Sequence, residues 1–252
     1  LCSRDCRADY LLSFLKHHKS DYLYLVGDVI DIWKLQRRWY WPPDVNGVLH
    51  QILKRAKKGT KVVYVPGNHD DLLRDFIGCD FGGVRIQPYA LHLTSDGRRF
   101  LVLHGDQFDV VVKCRRWLAV LGSAAYDYLI YLNRALNSVR HRLGMPYWSL
   151  SGYVKARVKN ACQYIGSFEE VIVAEARRLD LDGVICGHIH QPVIKTIDGI
   201  TYCNTGDWVE NCTAIVETET GELKVINWMK EWTDGWSCEQ PKPRRLRIVK
   251  VQ

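Results

Sequence analysis

Four short segments of the chain place glycine next to aspartate, asparagine or histidine. They are Gly27-Asp28, Gly67-Asn68-His69-Asp70, His104-Gly105-Asp106 and Gly187-His188-Ile189-His190. Carboxylate, amide and imidazole groups are ligands for divalent Mn, Fe or Zn, and no thiolate stands among them. Two such cations about 3.5–4 Å apart can clamp a phosphoryl group, and a nearby histidine can donate a proton to a leaving group. The residue types therefore indicate phosphoryl chemistry at a metal centre.

Each of these segments follows a short apolar run with the length and composition of a buried strand. The runs cover Tyr22–Val26, Lys61–Val65, 100–103 and 182–186. A helical pattern between the first two runs makes a βαβ unit, and so predicts a sheet with helices on its faces. In open α/β sheets ligands bind beyond the carboxyl ends of the strands, so we expect the four segments to share one crevice.

Taken singly, each segment has a plainer interpretation. Gly-Asp after a strand is usually a turn, and Asn-His-Asp is equally well a turn or a helix N-cap. The metal centre is favoured because all four segments lie at predicted strand ends and carry complementary ligand types.

The rest of the chain adds a hairpin, a helical stretch and further strands. The hairpin joins 89–94 to 100–103 through Asp96-Gly97, and 110–179 shows helical segments without a strand signal. Antiparallel strands are predicted at Val193–Ile197, 200–203, 212–217 and Leu223–Asn227. A basic tail, about 230–252, is expected to pack over the surface. We therefore predict one α/β domain spanning residues 1–252.

Composition narrows the class of protein. The chain has 252 residues, of which 47% are hydrophobic, and this share excludes a disordered protein. Lys and Arg total 35 against 28 Asp and Glu, so the net charge of +7 favours an anionic partner. No motif that reads nucleic acid is present, and we expect none to bind. Nine cysteines without a regular spacing predict a reducing, cytoplasmic location.

The four segments resemble the motif series of the calcineurin-like metallophosphoesterases, and the resemblance covers nearly the whole chain. The segment Tyr202-Cys203-Asn204-Thr205-Gly206-Asp207-Trp208-Val209-Glu210-Asn211-Cys212-Thr213 and the helical stretch resemble, more narrowly, the bacterial UDP-2,3-diacylglucosamine pyrophosphohydrolase branch. The resemblance implies a two-sheet sandwich flanked by helices, with a helical insert at about 110–165 that forms a cap.

The resemblance also implies roles for individual residues. Asp28 would bridge two divalent metals, Asn68, His104 and His188 would hold the second metal, and His190 would hold the first. His69 matches the catalytic, phosphate-contacting histidine. The implied cofactor is a pair of divalent ions, with Mn2+ favoured on family grounds and Fe, Zn or Mg also compatible with these ligands.

One departure from the family pattern lies at the start of the chain. The family's first motif is Asp-x-His on the first strand, whereas Leu1-Cys2 looks like the residues just after that histidine. We expect the missing motif to lie in a segment before Leu1. Without it, residues 1–252 would hold one metal well at the second site and turn over poorly.

The insert is the expected region of substrate contact. Its apolar stretch, 117–132, is too short for a membrane span of about 20 apolar residues, and the flanking cations favour an interfacial helix or a packed core stripe. Both interpretations stay open. In the family this insert accommodates acyl chains. Asp109, Lys155, Arg157 and Lys159 are candidate substrate contacts, although the last three also suit a solvated basic face.

These observations predict a hydrolase. The resemblance implies cleavage of UDP-2,3-diacylglucosamine to UMP and 2,3-diacylglucosamine 1-phosphate in lipid A biosynthesis. The cations that flank the apolar stretch and the basic C-terminal tail favour peripheral contact with an anionic inner membrane. Because the motifs define the metal centre and not the leaving group, another phosphodiester, a nucleotide or a phosphoprotein is the alternative substrate. A non-catalytic scaffold on the same fold is a further alternative.

Overall fold

A computed structural model describes residues 1–109, 168–233 and 247–249. The chain divides into two compact units, one formed by Leu1–Asp106 with Ile172–Gln252 and the other by Gln107–Val171. The first unit is described below. Nearly all of the second unit, including the predicted insert at about 110–165, lies outside the described residues.

The described helices and strands alternate along the first half of the chain, and strands dominate the second half. The helices are α1 (Ala8–His17), α2 (Ile32–Arg37), α3 (Pro43–Lys57), α4 (Phe168–Arg178) and α5 (Trp228–Thr233). The strands are β1 (Tyr22–Val26), β2 (Lys61–Val65), β3 (Asp80–Phe81), β4 (Val84–Ile86), β5 (Ala90–Leu93), β6 (Arg99–Val102), β7 (Gly183–Cys186), β8 (Val193–Ile197), β9 (Ile200–Asn204), β10 (Thr213–Glu217), β11 (Leu223–Asn227) and β12 (Arg247–Val249).

These strands form two sheets. One has the order β11-β10-β12-β1-β2-β4-β3, and the other has the order β5-β6-β7-β9-β8. The pairs β1–β2 and β6–β7 are parallel. Parallel neighbours end at the same edge of a sheet, so the loops after β1 and β2 lie together, as do the loops after β6 and β7.

Strand β1 shows how the layers pack. Leu23 and Leu25 lie in a core with the apolar side chains of α1 and α3, whereas Tyr24 and Val26 lie in a second core with Phe100 and other residues of the opposite sheet. Successive side chains of a strand point to opposite faces, so β1 is buried on both sides. The predicted fold class, α/β with two sheets flanked by helices, is confirmed.

Five of the described helices and strands were not predicted from the sequence, among them α5 at the start of the expected tail. Strands β3 and β4 contain only two and three residues, too short for an alternation pattern, and α2 is a six-residue helix. Strand β12 is the larger difference, because it pairs with both β1 and β10 in a segment expected to form a surface tail. This pairing depends on strands far away in sequence, which no local pattern in 247–249 could reveal.

A buried polar network joins the two sheets. The His92 ring contacts Tyr24 Oη at 3.1 Å and Glu217 Oε2 at 2.7 Å, and Glu217 Oε1 accepts a hydrogen bond from the Ser95 backbone N–H at 2.7 Å. His92 and Glu217 are almost entirely shielded from solvent. Because β1, β5 and β10 supply the three side chains, the network fixes how the sheets face each other.

We expect Glu217→Ala to lower the free energy of unfolding by about 3 kcal/mol, since it removes the acceptor of the buried His92 ring and of the Ser95 backbone N–H. Urea denaturation followed by circular dichroism measures the change. Glu219→Ala is the matched control at an exposed position of the following turn, and should change stability by less than about 0.5 kcal/mol. Equal stabilities of the two variants would contradict the role given to the network.

Candidate metal centre

The loops after four parallel strands bring the candidate ligands together. Asp28 follows β1, Asn68 follows β2, His104 follows β6 and His188 follows β7. His104 Nε2 lies 3.4 Å from Asp28 Oδ2 and 3.2 Å from Asn68 Oδ1, and the His104 and His188 rings are 5.1 Å apart. His104, from one sheet, is therefore in direct contact with ligand candidates from the other.

Three of the candidate ligands have unusual backbone conformations. Asp28, His188 and His190 adopt φ values of 53°, 67° and 55°. Residues other than glycine rarely occupy this left-handed region, and such strain persists only where the surrounding structure enforces it. The loops thus hold these side chains in positions that relaxed turns would not give them.

The donor chemistry at His104 fits a cation. Its Nδ1 lies 3.2 Å from the Val26 carbonyl oxygen, and an N–H donated there leaves a lone pair on Nε2. That lone pair faces the oxygens of Asp28 and Asn68. Within the described ranges no three His, Cys, Asp or Glu side chains form a ready-made metal cluster, but Asn68 supplies a further donor as an amide. Converging lone pairs of this kind suit a divalent metal.

Asp28 is charged at neutral pH, as a ligand between two cations must be. Burial alone would raise the pKa of the carboxyl group, but in the metal-free chain a proton on His104 Nε2, through its hydrogen bond and charge, and the His69 backbone N–H lower that pKa to about 2. A bound metal would take the place of that proton on Nε2. The His69 N–H donates to Asp28 Oδ1 at 2.8 Å. The loops after β1 and β2 are thereby tied together at the proposed bridging ligand.

His69 is oriented by a carboxylate that the sequence analysis did not single out. Its Nδ1 lies 3.1 Å from Asp31 Oδ1, and its ring meets the edge of the Trp33 ring at 5.6 Å between centroids. Asp31 also caps α2 by accepting the Lys34 backbone N–H at 3.0 Å. An acidic N-cap before a short helix was the available signal. Because Nδ1 is held by Asp31, Nε2 is the ring nitrogen that could contact a substrate.

Asp70 connects the loop after β1 to the loop after β2. This fully buried carboxylate accepts hydrogen bonds from the backbone N–H groups of Val29 at 2.9 Å and Gly67 at 2.5 Å, and from Tyr64 Oη at 2.5 Å. Burial is the main reason that its pKa is raised. Nothing in the local sequence around Asp70 indicates this role.

The segment after β9 supports the loop of His188 and His190. Asn204 donates through Nδ2 to the Gly187 carbonyl at 2.6 Å. Asn211 donates to the His190 carbonyl at 3.2 Å and to Asp207 Oδ2 at 2.5 Å. His190 shares a cavity of about 170 Å³ with Asp28, His69 and Asp207. His190 therefore lies beside the other candidates.

The structure does not test the four candidate substrate contacts. Asp109 is half-buried at the end of the first described range and belongs to the second compact unit. Lys155, Arg157 and Lys159 lie outside the described residues. These four assignments stay predictions.

Comparison with known proteins agrees with this geometry. The family model described as Calcineurin-like phosphoesterase matches residues 5–192. Three curated relatives carry the name UDP-2,3-diacylglucosamine hydrolase. That of Photorhabdus laumondii is 24% identical over 74% of this chain and 76% of its own length. That of Neisseria gonorrhoeae is 26% identical over 84% and 87%. That of Xanthomonas campestris pv. campestris is 28% identical over 82% and 87%.

The family match spans well over half of the chain and includes all four glycine-containing segments. The identities to the curated relatives are too low to establish a shared substrate. They support the type of reaction. This chain belongs to the calcineurin-like phosphoesterase family and is a metal-dependent phosphoesterase.

Proposed function

We propose that this phosphoesterase hydrolyses the diphosphate of an acylated UDP-sugar, UDP-2,3-diacylglucosamine, to UMP and 2,3-diacylglucosamine 1-phosphate. The names of the curated relatives support this substrate. The observation that carries the proposal is an apolar cavity next to the loops after β1 and β2. A phosphoester substrate without an apolar portion would not fill such a cavity.

The cavity has a volume of about 430 Å³, within the range of about 300–1,000 Å³ typical of ligand sites. Val29 and Ile30, directly after Asp28, form part of its wall, and Leu49 and Leu53 of α3 form another part. Apart from Tyr64 and Asp80, its lining is hydrophobic. A fatty acyl chain is the substrate portion that suits such a lining.

The residues of the candidate site would have two different roles in this reaction. Asp28, Asn68, His104, His188 and His190 would hold two divalent metals, for which we propose Mn2+. When bound, such metals activate water and offset the negative charge of the reacting phosphate. His69, held by Asp31, would donate a proton to the oxygen that leaves with the sugar phosphate.

The surface beside the cavity supports contact with lipid. Phe76 and Phe81 line the cavity and are 49% and 71% exposed, and Leu72 is 53% exposed. In the parts of the chain that the structure describes, no helix combines the length and hydropathy needed to cross a bilayer. We propose a cytoplasmic enzyme in peripheral contact with an anionic membrane, supported by the net charge of +7 and these apolar side chains.

The assay is hydrolysis of UDP-2,3-diacylglucosamine, with and without Mn2+, beside the same sugar nucleotide with shorter acyl chains. Each methylene withdrawn from the cavity should cost about 0.8 kcal/mol, or about fourfold in kcat/KM. Phe76→Asp should lower kcat/KM by about tenfold, since it places a charge at the cavity wall.

Ile77→Asp is the matched control, because Ile77 is the exposed neighbour that does not line the cavity. It should retain nearly the activity of the unmodified chain. Equal cleavage of acylated and unacylated nucleotides would contradict the lipid substrate and favour another phosphodiester or a nucleotide. No cleavage of any phosphoester by the metal-loaded chain would favour the scaffold.

A further inference from the structure

A further cavity lies at the opposite ends of β1 and β2 from the candidate metal centre. It has a volume of about 340 Å³ and forms where the C-terminal ends of α1 and α3 meet the residues that precede these strands. We call it the basic cavity. Its charged lining residues are Lys16, Lys19, Asp21, Lys54, Arg55 and Lys58. A five-residue strand separates the two sites, a distance of about 16 Å.

Among the described residues, Arg55 is a buried cation without an acidic partner. Only 7% of the residue is exposed, and its guanidinium donates to the Leu15 carbonyl oxygen and to Ser20 Oγ at 3.3 Å. Throughout residues 1–109, 168–233 and 247–249, no carboxylate forms an ion pair with Arg55 or with the four lysines of the basic cavity. Burial lowers the pKa of Arg55 to about 10. Buried charges in proteins are normally paired, so this arrangement calls for an anion.

Helix dipoles explain only part of the positive charge. Cations are favourable at helix C-termini, where each helix carries about half a negative charge. Two helix ends and the single carboxylate of Asp21 together balance about two of the five cations. About three positive charges remain around one concave site, which is more than a monovalent anion would neutralise.

We propose that the basic cavity binds a phosphate-bearing small molecule at a site separate from the metal centre. Arg55 contributes a buried guanidinium charge to the cavity lining, and the four lysines add flexible point charges. The hydroxyl groups of Ser20 and Thr60 also line the cavity. Its volume exceeds that of a single phosphate and falls within the range of small-molecule sites. This proposal does not depend on the proposed UDP-sugar hydrolysis.

The test titrates pyrophosphate into the full, metal-loaded chain by calorimetry. The unmodified protein should show one more binding event than the double variant Lys16→Ala/Lys54→Ala. If the double variant retains that event, its affinity for pyrophosphate there should be at least tenfold weaker. Both lysines are exposed, so their replacement should leave folding and phosphoester hydrolysis intact. The added event should weaken steeply with salt.

Lys57→Ala is the matched control, because Lys57 is an exposed lysine of α3 that does not line the cavity. It should bind pyrophosphate like the unmodified chain. A parallel measurement with vesicles of anionic phospholipid separates the two sources of phosphate: vesicle binding lost only in the double variant would identify a lipid headgroup as the ligand. Identical behaviour of the double variant, the control and the unmodified chain towards both probes would overturn the proposal.

Discussion

Replacing His69 with alanine is expected to lower kcat by about 100- to 10,000-fold while leaving the metal content of the protein nearly unchanged. The His69 ring is held at 3.1 Å from Asp31 and is 31% exposed at its side chain, so it can reach a bound substrate. Its link to the candidate ligands is the backbone N–H, which donates to Asp28 and survives the substitution. Steady-state kinetics and elemental analysis of the same preparation measure the two effects separately.

The companion variant Asp31→Asn separates positioning from direct chemistry. It should reduce kcat by a smaller factor than His69→Ala, because the ring remains but loses the carboxylate that orients it. His50→Ala, at an exposed position of α3, should have no effect. If His69→Ala turned over at the normal rate, the assignment of His69 as proton donor would be rejected.

Gly67→Ala is expected to remove bound metal and reduce activity by at least about 100-fold. A Cβ atom at this position would lie 2.8 Å from His104 Nε2 and still closer to Asp28 Oδ1. The nearest groups are ligand atoms and backbone, which have no free space to move into. The two ligand candidates would therefore be pushed apart at the point where they meet.

Gly97→Ala gives the matched comparison. Gly97 lies in the turn between β5 and β6, with φ of +90° and no atom within 4 Å of an added Cβ. Its replacement should cost about 1 kcal/mol of stability through backbone strain and leave metal content and activity intact. Normal metal content in Gly67→Ala would show that the loops after β1 and β2 do not meet at the metals.

Much of this site could be inferred from local sequence. The runs Tyr22–Val26 and Lys61–Val65 were identified as strands with their observed bounds, because buried parallel strands are continuous apolar segments. The polar residues after them mark strand ends, and ligand types at successive strand ends predict a shared crevice. Asp28, Asn68, His104 and His188 are brought close together as expected.

Other features became visible only with the chain folded. Asp31 and Asp70 look like ordinary turn or cap residues in sequence, and their importance comes from contacts with His69, Val29 and Gly67. The basic cavity likewise depends on two helix ends that are separated by about 40 residues but meet in space. A residue's neighbours across the fold are not encoded in its local pattern.

The sequence by itself determined the α/β class, the main strands and the chemistry of the candidate metal ligands, since these follow from hydrophobic periodicity and from side-chain type. The tertiary structure decided which polar groups support those ligands, where an apolar cavity adjoins the metal loops and how β12 completes a sheet. Burial and hydrogen bonding between distant segments exist only in the folded chain, and they set the strain, charge and orientation on which catalysis depends.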